Sequence, residues 1–139
     1  MSAGRVSRVM PRALAGAVVA LLDVAIVFIY HAIIYSQLGP RDDARISFVT
    51  YFIVLLAVLS AIGALAVRRR PRISAATFLA SAAGHLGLGI LAIFSIGWPL
   101  ILGGVVLLYL GITGRHQAVA SIVAPLVMLT ILGLGIAYT

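Results

Sequence analysis

The sequence predicts an all-α integral membrane protein: a bundle of about five transmembrane helices that forms a single domain over residues 1–139. Hydrophobic residues make up 63% of the chain and charged residues 9%. In soluble domains, about 45 to 50% of the residues are apolar and about 25% are charged. The mean hydropathy is +1.23. A soluble domain of this size exposes too large a share of its surface to hide so many apolar side chains from water. A lipid surrounding removes that difficulty.

The first two spans are uncharged or nearly uncharged windows of about 20 residues, the length that crosses about 30 Å of hydrocarbon. The first covers about 13–36 and ends before the turn pair Gly39-Pro40. It is longer than the core of a cleaved signal peptide, so we expect an uncleaved signal anchor. The second covers about 48–67 and stops where an arginine cluster begins.

The rest of the chain is divided by turn signals. The interval 73–113 carries no formal charge, and as one helix it would be about 60 Å long, about twice the membrane thickness. It must therefore fold back. Gly97 permits a turn and Pro99 suits the first turn of a new helix. We expect spans at about 73–95, about 98–113 and about 118–138. The fourth is short, and a re-entrant hairpin is the alternative there.

Arginine distribution predicts the orientation of these spans. Ten arginines and three aspartates give a net charge of +7. Short loops rich in arginine stay in the cytoplasm, which places the N-terminus inside and the C-terminus outside. The predicted topology anchors, which would also meet anionic lipid headgroups, are Arg5, Arg8, Arg12, Arg68, Arg69, Arg70, Arg72 and Arg115. Aromatic residues favour the headgroup level, and the predicted outer ends carry Tyr35, Tyr51, Trp98 and Tyr138.

The densest arginine cluster, 68–72, raises the question of a polyanionic partner. Nucleic-acid binding would need a folded basic face or stacking aromatic residues, and this short loop has neither. We expect no nucleic-acid partner, and a docking site for an acidic protein is the alternative to a topology anchor. The chain has no Lys or Asn, which is typical of a GC-rich genome and suggests a bacterial cytoplasmic membrane.

Helix contacts are predicted from small residues, because helices in lipid associate where such residues let backbones approach. One face of the third span carries Ala76, Ala80, Ala83, Gly84 and Gly87. The second span offers a weaker version in Ala57, Ala61 and Ala64. His85 lies away from the stripe of the third span.

Two ionisable residues, Asp23 and His85, lie about halfway along their spans. A lone carboxylate at that depth costs about 2.5 to 3.5 kcal/mol, which an imidazole partner would offset. Ser81 and Thr130 could join the group, and Tyr30 shares a helix face with Asp23. The candidate intramembrane polar site is Asp23, His85, Tyr30 and Ser81. Two roles stay open: a structural contact or neutral acid, and a proton-exchanging or substrate-binding site.

The sequence offers no enzyme signature. The chain has no cysteine and no glutamate, and it lacks the metalloprotease, nucleophile-elbow and phosphate-loop motifs. No ligand spacing supports a metal, and we expect no cofactor. The prediction is a small non-enzymatic accessory, assembly or partner-binding protein of the membrane. Its partners would be the lipid bilayer and another membrane protein or further copies of itself. The alternative is a small proton-linked carrier that uses Asp23 and His85.

Overall fold

The described chain is entirely helical. The computed structural model describes residues 3–39, 43–113 and 120–139, without the side chains of residues 3–9, 38, 120 and 121. Within those ranges there are five helices and no strand. The helices are α1 (Ala3–Leu38), α2 (Ala44–Ala66), α3 (Pro71–Leu91), α4 (Gly97–Ile112) and α5 (Ala120–Tyr138).

Three of the helices are long and apolar enough to span a membrane. They are α2, α3 and the segment Met10–Gln37 of α1. Helix α4 and the segment Ile122–Tyr138 of α5 are also apolar but shorter. The described part of the chain is therefore consistent with a membrane helical bundle.

Local chemistry accounts for both sides of the connection between α1 and α2. Gly39 follows α1 with a φ of 69°, a left-handed conformation that glycine adopts without steric cost. Its N–H donates to the carbonyl of Tyr35 at 3.2 Å. Asp43 begins α2 as its N-cap, because its carboxylate accepts the N–H of Arg45 at 2.9 Å.

Helix α3 ends at Leu91, four residues earlier than the predicted end at 95, and this expectation was wrong. The carbonyl of Ala92 accepts the N–H groups of both Ser95 and Gly97, at 2.9 and 2.8 Å, which closes a turn before Gly97. Gly97 begins α4 and is needed for close packing, since a Cβ there would lie 2.3 Å from the carbonyl oxygen of Gly89.

Helix α3 lies at the centre of the bundle, with α4 antiparallel to it. Ideal Cβ atoms at Gly104 and Gly111 would lie 2.9 Å from Leu86 and 2.6 Å from Leu79, which sets the register. Helix α4 is uninterrupted from Gly97 to Ile112, so the chain does not turn back within this segment.

Helix α5 packs beside α3 in the same direction. A Cβ at Gly84 would contact Met128, and a Cβ at Gly87 would contact Leu132. Part of the predicted small-residue stripe therefore faces α5. Gly84 also faces α2, because a Cβ there would lie 2.4 Å from Leu56.

Two apolar clusters fill the interior on either side of a layer of buried polar side chains. This polar layer consists of Asp23, Ser60, Ser81 and His85. One apolar cluster includes Phe52, Leu56 and Leu100, and the other includes Phe78 and Leu107. These five side chains are 3% exposed or less. The buried polar residues of the described chain are Asp23, Ser60, Ser74, Ser81 and His85.

Candidate functional site

The central contact of the polar layer joins Asp23 of α1 to His85 of α3. Nε2 of His85 lies 2.7 Å from Oδ1 of Asp23, and the two residues are 0% and 1% exposed. The structure therefore brings together the two ionisable residues that the sequence places near mid-span. Their functional role stays a prediction.

Ser81 links this pair to α2. Its hydroxyl donates to the carbonyl of Leu56 at 3.1 Å, and its oxygen lies 2.9 Å from the hydroxyl oxygen of Ser60. A hydroxyl carries one proton. Since Ser81 gives its proton to Leu56, the contact with Ser60 has Ser60 as the donor. The network thus joins α1, α2 and α3.

The carbonyl of Ser81 determines where the imidazole carries a proton. Nδ1 of His85 lies 2.8 Å from this carbonyl oxygen and 3.3 Å from the Ser81 hydroxyl oxygen. A carbonyl oxygen can only accept, so Nδ1 is protonated and donates.

This assignment limits the protonation of the Asp23–His85 contact. Oδ1 and Nε2 cannot lie 2.7 Å apart as two acceptors, so one proton lies between them. Whether that proton belongs to the carboxyl or to the imidazole, the pair has no net charge. A neutral pair avoids most of the cost of burying a net charge among apolar side chains.

Two glycines of α4 make room for the histidine. An ideal Cβ on Gly103 would lie 3.3 Å from Cδ2 of His85, and one on Gly104 would lie 3.0 Å from its Cβ. The imidazole is held between α4 and Asp23, on a different face of α3 from Gly87, which faces α5. The glycines of α4 therefore serve the contact with His85, whereas Gly87 of α3 serves the contact with α5.

The other predicted members of the polar site lie elsewhere. Tyr30 packs against the apolar cluster of Phe52 and makes an edge-to-face contact with His31, and it is outside the described hydrogen-bond network of the pair. Thr130 is exposed and donates to the carbonyl of Leu126 in its own helix. The expectation that Thr130 joins the group was wrong, because α5 turns this side chain outward.

Seven of the eight predicted arginine anchors make no described side-chain hydrogen bond within the protein. Four are exposed at the junction of α2 and α3: Arg68, Arg69, Arg70 and Arg72. Arg5 and Arg8 lie in α1, but their side chains are outside the described part. Arg115 lies outside the described residues.

Arg12 makes a contact within the protein. Its guanidinium donates to the carbonyl of Leu110, in the last turn of α4. Carbonyls at a helix C-terminus have no partner within the helix and attract cations. Arg12 therefore ties the first part of α1 to the end of α4, a role beyond the predicted contact with headgroups.

The structure adds two serines that the sequence analysis missed. Ser60 belongs to the network described above, and Ser74 donates to the carbonyl of Gly63 at 2.8 Å. Ser60 had a detectable signal, because it is the one hydroxyl residue between Tyr51 and Arg68 in an otherwise apolar run. Ser74 had none, since an isolated serine near a helix start is common.

Among the described residues, no group of three or more His, Cys, Asp or Glu is arranged to hold a metal ion. In comparisons with known proteins, no family model, curated protein or solved structure matches this chain. The geometry of the polar layer and the shape of the bundle therefore carry the functional argument.

Proposed function

We propose that this chain is a small polytopic membrane protein that acts, without catalysis, as an accessory or assembly protein for another membrane protein. In this proposal all five helices cross the bilayer, and the N-terminus and the exposed arginines of 68–72 lie in the cytoplasm. The membrane is the plasma membrane of a bacterium.

The enclosure of the Asp23–His85 pair is the observation that favours this role. Both residues are almost fully buried, and their partners are helix backbones and serines of the same chain. An arrangement of this kind fixes the register of α1 against α3, as buried polar contacts do in other bundles. The apolar exterior, above all on α5, is then available to lipid and to a partner within the bilayer.

The arrangement of helix ends supports the orientation. Arg12 meets the end of α4, and the antiparallel packing of α3 and α4 puts the 68–72 cluster at that same end. At the opposite end of the bundle, exposed aromatic residues near helix termini are Tyr35, Trp98 and Tyr138, and the exposed Tyr51 lies about two turns into α2. Aromatic side chains of this kind favour the membrane interface.

A reporter fused after Thr139 tests the orientation. We expect an enzyme that folds only outside the cytoplasm to be active there. A reporter that is active only in the cytosol would overturn the five-span arrangement.

Co-purification tests the accessory role. After gentle detergent extraction, native mass spectrometry should find the chain bound to another membrane protein, or to copies of itself, in a fixed ratio. The Asp23→Leu/His85→Leu double variant, in which both polar partners are removed together, should keep that ratio. A solitary monodisperse monomer would contradict the proposal.

A proton-linked carrier is the second candidate, and the single proton between Oδ1 and Nε2 favours it. Proteoliposomes that contain a pH-sensitive dye distinguish the two functions. A carrier would move protons in response to an imposed membrane potential, and Asp23→Asn would abolish this movement. Proton flux equal to that of protein-free vesicles would exclude the carrier and leave the accessory role intact.

A further inference from the structure

A groove runs between α1 and α2 beside the polar layer. Its volume is about 660 Å³, and every residue that lines it is apolar except Asp23. Alanines from both helices, including Ala20, Ala57 and Ala61, form part of its lining. Volumes of about 300 to 1,000 Å³ with mostly apolar walls and a few polar groups are typical of small-molecule sites.

The one polar residue of the groove has an unused oxygen. Oδ1 of Asp23 is engaged by His85, whereas Oδ2 is buried and accepts no hydrogen bond from the described residues. If the shared proton belongs to His85, Oδ2 is part of a carboxylate. If it lies on Oδ1, Oδ2 is a carbonyl oxygen. In both cases Oδ2 is an acceptor, so a ligand must bring a donor.

Depth and charge restrict that donor. Asp23 lies at the middle of the segment Met10–Gln37, too deep for the headgroup of a phospholipid. An ammonium group there would cost about 2.5 to 3.5 kcal/mol on insertion scales, and the neutral Asp23–His85 pair offers no net charge to offset it. A hydroxyl is uncharged and can still donate.

We propose that the groove between α1 and α2 binds a lipophilic alcohol or phenol whose hydroxyl donates to Oδ2 of Asp23. The side chains of Leu21 and Phe28, which line the groove and are exposed, move to let the hydroxyl reach this oxygen. The hydrophobic part of the ligand lies against the alanines. This inference goes beyond the accessory role and does not depend on it.

The extent of the groove favours a compact ligand over a second helix. The lining residues of α1 lie between Ala17 and Phe28, which corresponds to about 17 Å of helix. A transmembrane helix would need contacts over about 30 Å. A ring with a short alkyl chain fits the observed length.

Two probes that differ in one donor test the proposal. The full chain is purified into lipid nanodiscs and titrated with 4-nonylphenol or with its methyl ether, 4-nonylanisole, and bound probe is measured by native mass spectrometry. Empty nanodiscs correct for partition into lipid. We expect the phenol to bind about tenfold more tightly, the effect of one hydrogen bond. Equal binding of the two probes would overturn the proposal.

Three variants locate the binding site. Ala61→Phe adds a ring inside the groove at a half-buried position and should abolish phenol binding, whereas Leu134→Phe, on the exposed face of α5, should not change it. The Asp23→Leu/His85→Leu double variant should bind both probes equally and weakly. Unchanged phenol binding by Ala61→Phe would refute the site.

A second copy of the chain in the groove is the competing occupant. A Val58→Cys variant reports it, since Val58 lines the groove. Disulfide-linked dimers that phenol does not suppress would overturn the proposal in favour of self-association. These experiments need no partner protein, so their failure is distinguishable from failure of the accessory role.

Discussion

Helices α3 and α5 lie side by side, run in the same direction and have similar lengths of 21 and 19 residues, yet their side chains are used differently. Helix α3 buries Ser74, Ser81 and His85, and each of them bonds to a backbone or side-chain group. Helix α5 buries only Met128 and Leu132 among its described side chains, and Thr130 bonds to its own helix.

The difference follows from the neighbours of each helix. Besides α5, helices α2 and α4 pack against α3 and supply Ser60, the carbonyls of α2 and the glycines of α4. Helix α1 reaches α3 through side chains, among them Asp23. Helix α5 has one main neighbour, α3, and a minor contact where Gly135 meets Phe48. A polar side chain in an apolar surrounding needs a partner, so the partners available decide which helix can carry polar residues inward.

Removing one partner of the central pair should have the largest effect. We expect His85→Leu to lower the free energy of unfolding by about 3 kcal/mol, because Asp23 then loses its only hydrogen-bond partner among the described residues in an enclosed site. Equilibrium unfolding in mixed detergent micelles measures this loss.

The double variant provides the control for that measurement. Asp23→Leu/His85→Leu removes both polar groups and should be more stable than His85→Leu alone, since neither buried polar group is then left without a partner. If the losses of free energy of unfolding measured for the single variants His85→Leu and Asp23→Leu simply add in the double variant, the pair is not the unit that stabilises this contact.

Replacing a glycine by alanine should destabilise α3 more than α5, with a smaller effect than that of His85→Leu. A Cβ at Gly89 of α3 would lie 3.1 Å from backbone atoms of both Gly97 and Ile101, whereas one at Gly133 of α5 meets nothing within 4 Å. We expect Gly89→Ala to cost about 1 to 3 kcal/mol, because α3 and α4 must separate. Gly133→Ala should be neutral or slightly stabilising. Thermal unfolding of both variants checks this, and equal midpoints would contradict it.

Loss of the serine that links α3 to α2 should cost less. Ser81→Ala removes the donor to the carbonyl of Leu56 and the acceptor for Ser60, and we expect a loss of about 1 kcal/mol. Ser60→Ala removes only one of these bonds and should cost less than Ser81→Ala in the same unfolding assay. The reverse order would show that the network does not run through Ser81.

The smallest effect is expected on α5. Thr130→Val keeps the shape of the side chain and removes a hydroxyl that bonds only to the carbonyl of Leu126. The free energy of unfolding should change by less than about 0.5 kcal/mol. A loss as large as that of Ser81→Ala would mean that α5 has a polar contact beyond those described.

Much of the fold was predictable because apolar run length and turn residues are local signals. The five helices lie where charges, glycines and prolines divide the chain, and the early end of α3 was missed because the carbonyl of Ala92 closes a turn that no sequence motif indicates. The candidate site was predictable in part. Counting depth placed Asp23 and His85 at the same level, whereas the outward direction of Thr130 depends on how α5 is rotated against α3.

The amino-acid sequence by itself determined the helical class, the lengths of the apolar segments and the depth of each polar residue, because all three follow from residue order along a helix of fixed rise. Only the tertiary structure decided which faces meet: that His85 turns toward Asp23 and α4, that Ser60 joins Ser81, and that Arg12 meets Leu110. Rotation of a helix about its axis is set by packing against several neighbours at once, and no single segment contains that information.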